Sequence, residues 1–340
     1  MRRLRHIYYL LALIGTMLAS CTNGDIIESR DKTQLSLTIN LTDTRASEAE
    51  NYDLATERYI SDVAVYLFSG TGDFIERLSA TTLMGTDGDA TRTIFGVLNH
   101  DYSAYTAGVE VVVLTNLATR GVTAPATVSN KTDLYSKLTY NYTAGNEWKF
   151  QDSPKQHIPM SGCSSSMTIT AGKVNTATIS LYRAVARVDV LLNGGEGFDH
   201  FTPTGLKITR YNRTGHCASQ NGAIHVPADA AAATNAAALF RPDYSTQLYR
   251  IYIPEFDNSG AEHAQIELTG NLKAAGDATA ISKTYYMNFK FNDKENTDIV
   301  RNNLYRFLIT KINDEITVNQ SLVYEVEKWG TVSVNVPSFN

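Results

Sequence analysis

Leu35-Ser36-Leu37-Thr38-Ile39-Asn40-Leu41 alternates apolar and polar side chains without a break. A strand turns successive side chains to opposite faces, so Leu35, Leu37, Ile39 and Leu41 are expected to share one buried face. The stretch that follows, Thr42-Asp43-Thr44-Arg45-Ala46-Ser47-Glu48-Ala49-Glu50, is polar and poor in strand formers. It is expected to be exposed and open to proteases. The far end of the chain repeats the alternation: Val332-Ser333-Val334-Asn335-Val336 sets its valines on one face, and Pro337 then stops strand pairing. A cut after Arg45 would release the first strand and leave a groove. At about 1.5–3 kcal/mol per buried aliphatic side chain, four such side chains amount to roughly 6–12 kcal/mol. That is an upper bound, because denatured chains already bury some surface, and it matches the whole stability of a domain. A groove rimmed by unpaired backbone N–H and C=O groups demands a replacement strand. Val332, Val334 and Val336 of a neighbouring copy suit it as a donor by β-strand addition. Such head-to-tail pairing does not close, so it builds a filament. The plainer reading makes both ends ordinary edge strands and Arg45 an ordinary loop arginine.

Between these ends, strand signals dominate. Tyr59 to Phe68 is rich in β-branched and aromatic residues and is broken by Ser69-Gly70-Thr71-Gly72-Asp73, a hairpin turn. Val109 to Leu114 (VEVVVL) reads as a strand buried on both faces. Further strands are expected over 174–181, 184–192, 206–211, 248–253, 264–268, 283–291, 304–312 and 321–336. Short strands separated by turns suggest sandwiches. Helix signals are few. Thr132 to Tyr140 predicts a short helix with Thr132 as N-cap and Leu134, Tyr135 and Leu138 on one face. Ala228 to Leu239 has high helix propensity but little amphipathic pattern, which fits a surface helix or a loop insertion. The best divide lies near Tyr182-Arg183. It gives an N-terminal sandwich over 46–182 and a C-terminal one over 183–340.

The first twenty residues read as an export signal. Arg2, Arg3 and Arg5 precede an apolar run, Tyr8 to Leu18, too short for a comfortable permanent span. Leu18-Ala19-Ser20-Cys21 resembles a lipobox, where cleavage precedes a cysteine whose thiol takes a diacylglyceryl group; an ordinary signal peptide with a chance cysteine is the alternative. Residues 21–45 then form a lipidated pro-segment that includes the first strand. Any membrane contact is expected through lipid on Cys21, at roughly 0.8 kcal/mol per buried methylene. The formal net charge is −5, and removing a leader with three arginines and no acid leaves −8. An acidic chain without a long basic stretch argues against nucleic acid as a partner. Cys163 and Cys217 remain in an oxidising compartment, which leaves both a disulfide and two free thiols open. Neither sits at metal-ligand spacing.

No catalytic motif stands out: there is no GxSxG, HExxH, Walker loop or dinucleotide fingerprint, so no enzyme activity, cofactor or metal is expected. Asp87-Gly88-Asp89 lacks the acid that would complete a calcium loop and reads as a turn. Arg183 and Arg187 read as solvent-side or interdomain charges, and Trp329 as a core or groove aromatic. Nineteen tyrosines motivate a rival function, a lipid-anchored surface protein that binds carbohydrate without polymerising.

Several segments in order resemble the fimbrillin superfamily of Bacteroidetes, the subunits of type V pili. They are the lipobox at Cys21, Thr44-Arg45-Ala46, and Ile60-Ser61-Asp62-Val63-Ala64-Val65-Tyr66-Leu67-Phe68. Then come Ile158-Pro159-Met160-Ser161-Gly162 and Leu181-Tyr182-Arg183-Ala184-Val185-Ala186-Arg187-Val188. The last are Tyr252-Ile253-Pro254-Glu255, Arg301-Asn302-Asn303-Leu304-Tyr305 and Val326-Glu327-Lys328-Trp329. The resemblance implies an all-β fold of two tandem transthyretin-like Greek-key sandwiches and export as a lipoprotein to the outer membrane. It further implies cleavage by an arginine-specific protease at Arg45, with Ala46 as the new N-terminus. It makes Leu35 to Leu41 the displaced strand, Val332 to Val336 part of the donor, and other fimbrial subunits the partners in an adhesive fimbrium. The superfamily also has tip and anchor members, some of which keep their lipid and are not cleaved.

Overall fold

The computed structural model describes residues 32–41, 55–142, 157–218, 237–239, 241–242, 248–273, 276, 278–291, 294–312 and 322–328. In chain order the first half contains β1 (Gln34–Leu41), β2 (Val63–Ser69), β3 (Phe74–Arg77), β4 (Thr81–Met84), β5 (Thr91–Val97) and β6 (Val109–Thr115). Helix α1 (Lys131–Ser136) follows, then β7 (Thr139–Asn141), β8 (Met160–Cys163) and β9 (Val174–Arg183). The second half contains β10 (Ala186–Glu196), β11 (Phe201–Thr209), β12 (Thr214–His216), β13 (Ala237–Leu239), β14 (Arg241–Pro242), β15 (Leu248–Ile253) and β16 (Gln265–Leu272). It continues with β17 (Ile281–Asn288), β18 (Lys290–Phe291), β19 (Lys294–Glu295), β20 (Asn303–Lys311) and β21 (Leu322–Lys328). The protein is nearly all β.

The largest sheet has eight strands in the order β3-β2-β6-β8-β9-β1-β5-β4. Its two halves share one apolar cluster, in which Leu35, Leu37, Ile39 and Leu41 meet Val65 and Leu67 of β2, Val111 and Val113 of β6, Ile94 of β5, and Ile179 and Leu181 of β9. The opposite face of β2 and β6 carries Tyr66, Phe68, Val112 and Leu114 into a second cluster. These two strands are therefore buried on both sides, which is why VEVVVL lacks alternation. The second cluster continues through α1 (Leu134, Tyr135) and Leu138 just after it into a five-stranded sheet, β14-β15-β10-β20-β21, and a four-stranded sheet, β13-β11-β16-β17. β9 ends in the first sheet and β10 opens in the second, with Ala184 and Val185 between them, both buried.

The halves are also joined by backbone pairing. β7 pairs antiparallel with β12, Tyr140 opposite Gly215, and the Cys217 N–H donates to the Leu138 carbonyl at 2.8 Å. The Tyr140 ring lies so close over Gly215 that a Cβ there would stand 2.0 Å from its Cζ, so only glycine lets β12 approach.

Local expectations meet the structure unevenly. Gly70 to Asp73 is the β2–β3 hairpin turn, with Gly72 at φ 92°, and Asp87 to Asp89 is the turn between β4 and β5. The Asp89 carboxylate accepts from the Thr86 N–H at 2.7 Å, and Asp87 pairs with Arg92 at 2.7 Å. The helix is capped by Asn130 and not by Thr132: the Asn130 side chain accepts from the Asp133 N–H at 2.9 Å, and the Asp133 carboxylate accepts in turn from the Ser129 N–H. It ends at Ser136, because Thr139 and Tyr140 are drawn into β7. Of the alanine-rich run, Ala237–Leu239 is a strand paired with β11; the rest lies outside the described residues.

Cys163 and Cys217 are free thiols, the first partly and the second fully buried. Burial raises the pKa of both, for Cys217 up to about 12. A thiol-reactive reagent is therefore expected to spare Cys217 in the native protein. Unfolding in denaturant should release both thiols without reductant; recovery of neither would reveal a bridge.

Candidate strand-exchange site

β1 is not an edge strand. It sits between β5 and β9, antiparallel to β5 (Gln34 opposite Val97 through Asn40 opposite Thr91) and parallel to β9 (Gln34 opposite Val174 through Leu41 opposite Leu181). In the sheet order β5 and β4 reach the other strands only through β1. Its removal would leave two unpaired edges facing one slot, a harsher defect than loss of an edge strand.

The four apolar side chains of β1 are at most 1% exposed, and the intervening Gln34, Ser36, Thr38 and Asn40 are half-buried on the outer face. The strand is pinned at both ends. The Gln34 N–H donates to the Lys173 carbonyl at 2.9 Å, and the Leu41 N–H donates to Ala90 at 2.8 Å. The Asn175 side chain donates to the Gln34 carbonyl at 3.2 Å, and the Thr33 hydroxyl accepts from the Gly172 N–H at 3.0 Å. Around the slot the outer face carries Thr91, Thr93, Thr176, Thr178 and Ser180 and no charge, since each side chain there lies beside an outward residue of β1. Phe95 and Val97 of β5 are each 38% exposed on the same face.

The chain re-enters the described region at a short 3-10 helix, Ala55–Arg58, whose Glu57 is fully buried. Glu57 lies against Arg187 of β10 at 3.3 Å and accepts a hydrogen bond from the Tyr252 hydroxyl. Arg187 in turn pairs with Asp189 at 2.5 Å, and Asp189 with Arg250 at 2.8 Å. Burial alone would raise the Asp189 pKa; the two guanidiniums override it and hold the group at about 2. Arg183 and Arg187 are thus not solvent-side charges: they are 1% and 2% exposed. Arg187 joins the first half of the chain to the second. Its partner Glu57 lies 130 positions away, so no local pattern announces the pair.

A second fastening uses Asn116, fully buried at φ 59°, whose side-chain amide donates to the carbonyls of Tyr59 (2.8 Å) and Ile158 (2.7 Å) and accepts from the Ser61 N–H (2.8 Å). The junction itself is built from separate sequence blocks. Asn302, at φ 59°, accepts from the Arg183 N–H at 3.0 Å and donates its own N–H to Val185 at 2.8 Å. Arg301 pairs with Glu255 at 2.5 Å, and the Ala184 N–H donates to Pro159 at 2.9 Å. Glu57 and Asn116 were not singled out by the sequence; a polar residue in the left-handed region is the one signal Asn116 offers, and it shows only in the backbone.

Of the remaining candidates, Cys21, Arg45, Ala46, Val332, Val334, Val336 and Trp329 lie outside the described residues. No helix among the described residues is long and apolar enough to cross a membrane.

Comparison with known proteins agrees with this architecture. No curated protein matches the sequence. Among solved structures, the tip fimbrial protein Mfa3 from Porphyromonas gingivalis, with a C-terminal truncation, superimposes with a TM-score of 0.55 at 15% identity, covering 87% of this chain and all of that one. A candidate cell adhesion protein from Parabacteroides distasonis gives 0.56 at 16% identity, over 89% and 98% of the two chains. One from Bacteroides eggerthii gives 0.54 at 16%, over 88% and 97%. These likenesses establish the fold. The model of the fimbrillin-A associated anchor proteins Mfa1 and Mfa2 matches residues 27–335, nearly the whole chain, and the protein therefore belongs to that fimbrial family.

Proposed function

We propose that this protein is a structural subunit of cell-surface fimbriae, exported as a lipoprotein on Cys21, trimmed between Arg45 and Ala46, and polymerised by strand exchange with other fimbrial subunits. The observation that carries the reading is the seat of β1, a central position whose only covalent tie to the rest of the described fold runs through the stretch containing Arg45. Cutting that stretch frees the strand without breaking another described element. The departing Leu35, Leu37, Ile39 and Leu41 leave a slot with two hungry edges, and the tail with Val332, Val334 and Val336 is the segment of matching pattern. The reading assigns the chain a building and adhesive role, in two tandem sandwiches, with no catalytic chemistry, nucleic acid or cofactor.

The matching family model describes anchor proteins, which supports a second reading. As an anchor the chain would keep acylated Cys21, stay uncut at Arg45 and retain β1, holding a fimbrium to the outer membrane. N-terminal sequencing of surface-extracted protein separates the two. For a polymerising subunit, Ala46 is the expected N-terminus, and Arg45→Ala is expected to abolish incorporation into fimbriae while leaving a folded, lipidated monomer. Normal fimbriae containing uncut Arg45→Ala subunits would overturn the exchange reading in favour of the anchor.

A further inference from the structure

Between β1 and β2 the sequence has two arginines, Arg45 and Arg58. A protease that cuts after arginine meets the same side chain in both, so the side chain alone does not choose. We infer that Glu57 sets the downstream limit of processing: by latching residues 55–61 onto the body of the protein, it withholds the Arg58–Tyr59 bond from the enzyme that takes the Arg45–Ala46 bond. The inference rests on the processing step of the proposed function and adds to it the residue that determines which arginine is spared.

A protease must draw the residues on both sides of the bond out of the substrate's fold, so burial and hydrogen bonding of the backbone decide what is cut. Around Arg58 both sides are fastened. Its Nε donates to the Gly88 carbonyl at 2.6 Å, in the turn between β4 and β5. Ala55 and Tyr59 pack on that same glycine, where a Cβ would stand 3.2 Å from the Ala55 Cβ and 3.4 Å from the Tyr59 ring. Beyond the bond, the Tyr59 carbonyl accepts from the Asn116 amide at 2.8 Å, and the Ser61 N–H donates to the same side chain at 2.8 Å. Ile60, between them, is 6% exposed.

Glu57 is the deepest of these fasteners. Its Oε1 accepts from the Tyr252 hydroxyl and lies 3.3 Å from Arg187 Nη1, both in the second half of the chain. The Gly88 and Asn116 contacts are made within the first half; Glu57 ties the same segment to the second. Hydrolysis after Arg58 would add water across that peptide bond, leaving an Arg58 carboxylate and a Tyr59 amine. It would place Glu57 on the piece that leaves with β1 and take the carboxylate away from Arg187 and Tyr252. The latch therefore guards the bond whose loss would remove the latch.

Mapping of new N-termini tests the latch. The full chain, made in cells that lack an arginine-specific protease, would be given one in limiting amount and its N-termini sequenced over time. The parent is expected to yield Ala46 and no Tyr59, and Arg45→Ala to yield neither. Glu57→Gln keeps the size and loses the charge; Tyr252→Phe removes one hydroxyl bonded to the carboxylate. Cutting of a locally opened segment follows the open population, and a hydrogen bond to a charged group holds that population down roughly ten- to a hundredfold. Both variants are therefore expected to yield Tyr59 faster by about that factor, with Arg77 and Arg92 still uncut. Cuts at Arg77 and Arg92 in Glu57→Gln would report a lost fold, and Tyr252→Phe then decides alone. Tyr59 released from the parent as fast as Ala46, or no faster from the folded variants than from the parent, overturns the latch. A parent that yields no Ala46 while the variants yield Tyr59 overturns processing at Arg45 and leaves the shelter of Arg58 standing.

Discussion

Leu37→Ala combined with Ile39→Ala is expected to strip the uncut protein of most of its stability. Both side chains are fully buried in the centre of the first sheet. Each truncation costs about 2–5 kcal/mol, the lost transfer energy plus the cavity left behind. Simple addition gives roughly 4–10 kcal/mol, an upper bound for residues that share partners. A domain holds about 5–15 kcal/mol in total. Urea unfolding of the uncut chain should show the midpoint collapse with the slope preserved. The same substitutions should leave assembled fibres as resistant to urea as the parent, because the exchange reading discards β1 before assembly. Fibres weakened in parallel with the monomer would mean that β1 stays in its seat.

The second large effect is expected at the buried ion cluster. Asp189→Ala leaves Arg187 and Arg250 facing each other without their shared carboxylate, inside a site where Asp189 is fully buried. Removing one partner of a buried pair costs about 3–5 kcal/mol, chiefly the penalty of the uncompensated charge. The pH dependence carries a sign that tests the assignment. The folded-state pKa of Asp189 is depressed to about 2 from an ordinary 3.8. Its contribution is therefore fully present above the ordinary carboxylate range and is lost as pH falls through about 2. Asp189→Asn should trail the parent by a constant margin at neutral pH, and the gap should close between pH 4 and 2. A gap independent of pH would assign the effect to packing alone.

The parts of the fold legible in the sequence are those set by local rules. The strict alternation of 35–41 fixed which side chains are buried, and all four are. The apolar run at 109–114 marked a strand covered on both faces, and the glycines at 70 and 72 marked the hairpin. What stayed hidden was set by distant partners. Nothing in Leu35–Leu41 says that its neighbours are β5 and β9, or that it occupies the middle of a sheet and not its rim, because both pairings join segments far apart in the chain. Arg183 and Arg187 read as solvent-side or interdomain charges, and alternation beside arginine does not choose between a wet outer face and a buried seam. Their burial depends on Asn302 and Glu57, which no window around 183–187 contains. The helix cap was misplaced by two residues for a plainer reason. Asn130 and Thr132 are both good caps, and the reciprocal bonds with Asp133 and Ser129 decide for the asparagine.

The parallel pairing of β1 with β9 has a kinetic consequence. The two strands lie about 140 positions apart, as the Asn175–Gln34 contact records. A chain emerging from its amino end presents the apolar ribbon of β1 long before β9 exists. Until residue 181 has been delivered, β1 can pair on its β5 side alone and its other edge stays open, and loop closure over such a span is slow.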